Sequence, residues 1–169
     1  MSTAELIGGV LVRDIRAVRR ELDAYPDEAS LWKTTDTIPN AAGTLALHLA
    51  GNLRHYVGGL LGGGAYVRDR DAEFSRRGVP RAELIAGLEA AEREVASAMA
   101  RLTDAQMAAP FPQAVAGKRF STADMLIHLA THLTYHLGQI DYHRRLVAGN
   151  AASIGAVSPS ELRTATPAP

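Results

Sequence analysis

The chain contains no cysteine. Disulfides are therefore excluded, any thiol nucleophile has to come from outside the chain, and any metal site has to use histidine, carboxylate or water. The same absence makes a cytoplasmic location the default expectation. There is no excess of charge of either sign, since Lys+Arg and Asp+Glu both number 18. That balance gives no electrostatic ground for nucleic acid or an acidic membrane as partner. No apolar run approaches the roughly 18–20 residues that a bilayer requires. The opening Met1–Asp23 has no basic leader and its apolar stretch breaks at Arg13, so it reads as a helix and not as a signal peptide. No segment alternates convincingly as a strand, and there is no internal repeat.

What is present fits one folded domain. A chain of 169 residues with 47% hydrophobic side chains can bury a real core without staples. Four stretches have helical periodicity. Ser2 or Thr3 caps the first, which carries Leu6, Val10, Ile15, Val18 and Leu22 and runs to about Tyr25 before Pro26. The second runs from near Asn40 to about Leu61, with Leu45, His48, Leu49, Asn52, Leu53 and Tyr56 on nearby rows, and stops at Gly62-Gly63-Gly64. The third opens at Pro80 and carries Leu84, Ile85, Leu88, Val95, Met99 and Leu102. The fourth starts at Ser121 and continues to about Ala148, where Gly149-Asn150 closes it. A short hairpin turning at Gly117-Lys118 is possible within Phe111–Phe120.

The expected fold class is all-α, a four-helix bundle with long connections. Links in such bundles usually run about 2–8 residues, and these are longer, so up-down-up-down order is not required. The bundle is expected over residues 1–150. Residues 151–169, rich in Ala, Ser, Thr and Pro, read as an extended or flexible C-terminal tail.

The chemical signal is histidine. All six, His48, His55, His128, His132, His136 and His143, fall on the second and fourth helices. His128, His132 and His136 are spaced four apart, which stacks neighbouring pairs about 5–6 Å apart on one face. Two imidazoles so placed can share one ion at about 2.0–2.1 Å from each nitrogen. Three from one straight helix cannot, because His128 and His136 are separated by about 12 Å of rise. One pair therefore binds, and the third ligand comes from another helix. His48 is the natural donor, being mid-helix on the row of Leu45, Leu49 and Asn52, whereas His55 lies near the glycine stop. Spacing alone leaves open which pair on the fourth helix is used. The segment His132-Leu133-Thr134-Tyr135-His136 has the spacing of a zincin motif but Leu133 replaces its acid, which argues against a metalloprotease.

Leu45-Ala46-Leu47-His48-Leu49-Ala50-Gly51-Asn52 and the run from His128 to Ile140, with His136-Leu137-Gly138-Gln139 at its end, resemble the DinB/YfiT-like superfamily of metalloenzymes. Arg68-Asp69-Arg70-Asp71-Ala72-Glu73-Phe74 also looks like the loop of one branch. The resemblance implies a four-helix bundle of unusual connectivity, a homodimer, and a metal held by three histidines that map onto His48, His132 and His136. Relatives of that kind include bacillithiol transferases and mycothiol-dependent maleylpyruvate isomerases. They commonly have an acidic or polar residue where this chain has Leu133.

The expected cofactor is a divalent metal ion, for which three imidazoles suit zinc or nickel best, with a low-molecular-weight thiol as cosubstrate. Asn52, His128, Tyr135 and Gln139 are candidates to stand beside the metal or a small-molecule substrate, and no catalytic base is assigned. Metal-bound histidines usually donate their other ring N–H to a carboxylate or carbonyl, and Asp124 and Asp141 lie on the right helix for that. The charges Arg68 to Asp71 read as a solvated or salt-bridged loop. The expected function is transfer of the thiol to an electrophile. The alternatives are a metal-dependent hydrolase and a non-catalytic, metal-binding dimeric module.

Overall fold

A computed structural model of the protein describes residues 1–169 except Asn150, Ala156 and Pro169. Its described residues are helical, with only isolated bridges and no named strand. Helix α1 spans Thr3–Asp23, α2 Ala42–Leu53, α3 Arg70–Ser75, α4 Arg81–Met99, α5 Asp104–Ala108 and α6 Thr122–Ala148. The four long ones, α1, α2, α4 and α6, correspond to the four periodic stretches.

Helix starts follow the expected chemistry. Ser2 and Glu5 form a reciprocal capping box: the Glu5 N–H donates to Ser2 Oγ at 3.2 Å and the Ser2 N–H to Glu5 Oε2 at 2.7 Å. Ser121 accepts from the Asp124 N–H at 3.1 Å, and Gly149 ends α6 in the left-handed region at φ 63°. Asn150, its expected companion in that stop, lies outside the described residues. Helix α2 is shorter than expected because it passes into a π-helical turn over Arg54–Gly59 before the glycines. The buried face of α1 is also rotated from the expected one. Leu6 is exposed, and Ala4, Gly8, Leu11, Ile15, Val18 and Leu22 face the core. Leu11 breaks the tie between two rows of similar hydrophobicity.

Consecutive helices α1 and α2 each pack against both α4 and α6, so they occupy opposite corners of the bundle. The connection between them crosses a diagonal, which explains its length and accounts for the unusual order. The other long connections carry α3 and α5. Between α5 and α6 the chain makes a narrow arch. Phe111 N–H donates to Phe120 O at 2.9 Å, and Val115 and Lys118 exchange two bonds of 3.0 Å. The arch turns on Ala116 and Gly117, both left-handed at φ 49° and 71°, one residue before the expected Gly117-Lys118.

The α1–α6 seam is polar as well as apolar. Thr134 Oγ1 donates to the buried Asp14 carboxylate at 2.6 Å. Arg144 Nε donates to Glu21 Oε2 at 2.5 Å, with both residues almost wholly buried. The other oxygen, Glu21 Oε1, has no hydrogen-bond partner. Burial raises the Glu21 carboxyl above its ordinary range, against the lowering effect of Arg144. The tail runs back over α1: Glu161, in a single turn at Pro159–Glu161, pairs with Arg20 at 3.1 Å, and Arg163 lies beside Gly9.

Candidate metal centre

Helices α2 and α6 pack directly against each other, and three imidazoles meet at their contact. His48 sits mid-helix on α2 and is 7% exposed. His132 and His136 stand one turn apart on α6 and are partly buried. Leu129, Leu133 and Leu137 turn the adjacent face of α6 into the core. The Nε2 atoms of His48 and His132 are 3.3 Å apart, and those of His132 and His136 are 3.1 Å apart. One ligand atom from each of the three lies within 4.8 Å of the others, a grouping that can hold a metal ion. The rings cross nearly at right angles, at 78°, 87° and 88°.

The far sides of two rings fix where the protons are. His48 Nδ1 faces Glu73 Oε2 at 3.0 Å. Burial alone raises the Glu73 carboxyl, but the bonds from Arg68 and His48 outweigh it and hold it below its ordinary value. Ionised Glu73 only accepts, so the His48 proton is on Nδ1. Arg68 Nη2 lies 3.4 Å from the same nitrogen but is committed to Glu73 Oε2 at 2.8 Å. His136 Nδ1 faces Gln139 Oε1 at 2.6 Å, so its proton is on Nδ1 too. Both rings therefore aim an Nε2 lone pair inward. Burial first, then the neighbouring His136, His48 and His128, lowers His132 to about 4, and burial also lowers His136.

His132 Nε2 thus lies at hydrogen-bond distance from both of the other Nε2 atoms, and its one proton can serve only one of them at a time. Such a cluster favours a cation. Metal–nitrogen bonds of about 2.0–2.1 Å in tetrahedral geometry separate the nitrogens by about 3.3 Å, close to the spacing of His132 from each of its two neighbours. The residues present therefore fit a divalent ion with one coordination position left open.

The remaining histidines are elsewhere. The His128 ring is exposed, 5.9 Å from that of His132 and outside the group. His55 turns to Gln113 Oε1 at 3.2 Å. His143 is buried in a separate network, where Nε2–H donates to Lys33 O at 2.7 Å and Nδ1 accepts from Tyr25 Oη at 2.7 Å. Among the other candidates, Gln139 touches the group directly. Asn52 is buried one turn beyond His48. Tyr135 is 65% exposed, with its ring 5.2 Å from that of His136. Leu133 points into the core at 0% exposure, so its position in the zincin-like motif does not face the site.

One outer partner, Gln139, is among the residues expected beside the metal, whereas Glu73 is not, and the two aspartates expected in that role are engaged elsewhere. Asp141 pairs with Arg144 and Arg145, and Asp124 occupies the first turn of α6. Glu73 and Gln139 take the ring protons instead. The Arg68–Asp71 stretch is salt-bridged, one of its two expected forms, and it leads into helix α3. Arg68 is 11% exposed at its side chain and donates to Glu73 Oε1 at 2.7 Å, while Asp69 caps α3 through the Ala72 N–H at 2.9 Å. Helix α3 thereby brings Glu73 against His48, with the Phe74 ring 4.9 Å from the imidazole. In sequence the only trace of this is a capping Asp69 four residues before Glu73.

Two open cavities lie along α6, and none of the three clustered histidines lines either of them. One of about 380 Å³ is lined by Ile38, Pro39, Leu45, Gln139 and Tyr142. The other, of about 460 Å³, is lined by Val115, Lys118, Phe120, Met125 and His128. Gln139, at the edge of the first, bonds His136, and the His128 ring at the second lies 5.9 Å from that of His132. No described helix is long and apolar enough to cross a membrane.

No curated protein and no solved structure shows a significant match to the chain. Residues 10–159 match the model of a family described as proteins of unknown function, DUF1572, a span that takes in α2, α4 and α6, the greater part of α1 and every histidine of the cluster. The chain belongs to the DUF1572 family.

Proposed function

We propose that the protein is a metal-dependent enzyme of the DinB/YfiT-like kind, which joins a low-molecular-weight thiol to an electrophilic small molecule. One observation carries this reading: three imidazoles converge through Nε2 while Glu73 and Gln139 face the Nδ1 atoms of two of them from outside. His48, His132 and His136 are the proposed ligands. An ion held by three neutral ligands with an open position supplies Lewis acidity and lowers the pKa of a thiol or water brought to it.

The chain's own residues supply position. Glu73 and Gln139 keep the rings in one tautomer and orientation. The largely apolar walls of the two cavities offer room for a small molecule near Gln139 and near His128. No cysteine is present to act as nucleophile, so the attacking sulfur comes with the cosubstrate. Its bond to the electrophilic carbon forms as the leaving group departs with its electron pair. The resemblance further implies a homodimer, and α6 carries exposed apolar side chains at Ile127, Tyr135, Tyr142 and Leu146 that suit one.

Two measurements test the reading. Metal content of protein stripped with chelator and reloaded with zinc or nickel is expected to be one ion per chain, and close to none for His48→Ala. Incubation of the loaded protein with a small thiol and a chlorinated or epoxide electrophile is expected to give the thioether faster than the stripped protein does. Equal rates with and without metal would remove the transferase reading.

A further inference from the structure

We propose that Glu73, clamped by Arg68 and seated in the space left by Gly51, is the positioning residue that sets the metal affinity of the centre through His48. The inference rests on the metal reading above and concerns a residue that never touches the ion. Nδ1 and Nε2 point away from each other across an imidazole, so a carboxylate on Nδ1 stands behind the ring and is not itself a ligand.

Three observations support the assignment. The first is burial. Glu73 is 5% exposed, and a carboxylate is taken out of water only where other groups satisfy it. Its two oxygens accept from Arg68 Nε at 2.7 Å, Arg68 Nη2 at 2.8 Å and His48 Nδ1 at 3.0 Å. The second is rigidity. The fork of Arg68 fixes the plane of the carboxylate, and Asp69 caps the short helix that carries it. The third is the shape of α2. Gly51 lies one turn from His48, and a Cβ there would overlap the Glu73 carboxylate, with Cδ only 2.8 Å away. A flexible glutamate end would ordinarily swing aside, but this one is held at both oxygens. The glycine therefore leaves room for a group that comes from another helix.

Two effects follow. Acceptance of the Nδ1–H fixes His48 in the tautomer that presents Nε2 to its neighbours, and the negative charge behind the ring makes Nε2 a stronger donor to a cation. Of the two outer partners, only Glu73 carries charge. Gln139 gives His136 orientation without it.

The test uses the full-length protein with cobalt(II) as probe, reading the dissociation constant by competition with a chelator and the visible spectrum of the bound ion. Loss of such a partner commonly weakens metal binding by about 10–100-fold. Glu73→Ala is expected to fall in that range with a changed spectrum. Glu73→Gln, which keeps an acceptor oxygen but not the charge, is expected to lose roughly tenfold, near the low end of that range. Gly51→Ala keeps the carboxylate but displaces it, and is expected to behave like Glu73→Ala.

A second measurement needs no metal. Long-range proton–nitrogen NMR correlations on the metal-free protein are expected to show His48 as the Nδ1–H tautomer in wild type and as a mixture in Glu73→Ala. A merely structural Glu73 would lower the melting temperature while leaving affinity, spectrum and tautomer unchanged, and that result overturns the proposal. Wild-type protein that binds no cobalt would overturn the metal reading itself. Wild-type binding with all three variants at wild-type affinity overturns only the role of Glu73.

Discussion

His132 stands between the other two imidazoles, and its replacement separates the metal-free protein from the loaded one. Its Nε2 lies 3.3 and 3.1 Å from the Nε2 atoms of His48 and His136, whose far nitrogens face Glu73 and Gln139. His132→Ala removes a partly buried ring but also relieves that crowding, so the metal-free variant is expected to stay within about 1 kcal/mol of wild type. Loading reverses the comparison. An ion that binds the folded state alone stabilises it by about 2.7 kcal/mol at one hundred times its dissociation constant. For a domain of this size each kcal/mol moves the melting temperature by about 2–4 °C, so wild type is expected to gain roughly 5–10 °C. His132→Ala, with two ligands left, is expected to gain close to none at the same free metal concentration. Thermal unfolding by circular dichroism, in chelator and then in buffered zinc or nickel, reads both numbers. Equal metal-induced shifts in the two proteins would refute the reasoning, as would a metal-free variant several kcal/mol less stable than wild type.

Other predictions follow from groups already described. Burial lowers His132 to about 4 and also lowers His136 and His143, whereas the unfolded chain protonates histidine near pH 6.5. The unfolded state takes up protons first, so the metal-free protein is expected to lose stability as pH falls below about 6.5, with the His132 contribution running to about pH 4. Each such group contributes at most about 1.4 kcal/mol per pH unit, less where solvent reaches it; a urea midpoint unchanged between pH 7 and 5 would contradict this. Arg144→Met strands the buried Glu21 carboxylate and is expected to cost about 3–5 kcal/mol. In the Glu21→Leu/Arg144→Met double variant, urea titration should recover most of that loss, and a double variant as unstable as the single one would show that the charge was not the cause. Leu133→Glu restores a zincin-like spelling but places a charge at a fully buried position, so it is expected to unfold the protein or lower its urea midpoint sharply, without hydrolase activity appearing.

Much of the architecture was legible because it follows period and punctuation. Ser2, Pro80, Ser121 and Gly149 mark ends where caps are a local matter of one side chain or one φ value. The face of α1 was less legible, because Leu6 and Leu11 are equally apolar and only packing decides between them. Histidine spacing narrowed the site to a pair on α6 plus His48, and the pair could not be chosen from spacing because His128–His132 and His132–His136 are the same local geometry. The difference lies in where α2 crosses α6, a tertiary fact. Glu73 was illegible for a related reason. It lies 25 residues from His48 on a helix of six residues, too short to show a period, and its charge resembles that of its exposed neighbours until Arg68 is seen beneath it.

The walls of the two cavities are shared between the helices that carry the histidine cluster and the connections that join them. The three imidazoles are fixed to α2 and α6, whose backbones are tied along their length by the bundle. Thr37 to Asn40 and Val115 to Phe120, which face the cavities, belong to connections with few such ties. Insertions and substitutions in those connections leave the helix contacts and the ring geometry untouched. Editing those two loops would therefore reshape part of each cavity wall while leaving the three rings where the helices hold them.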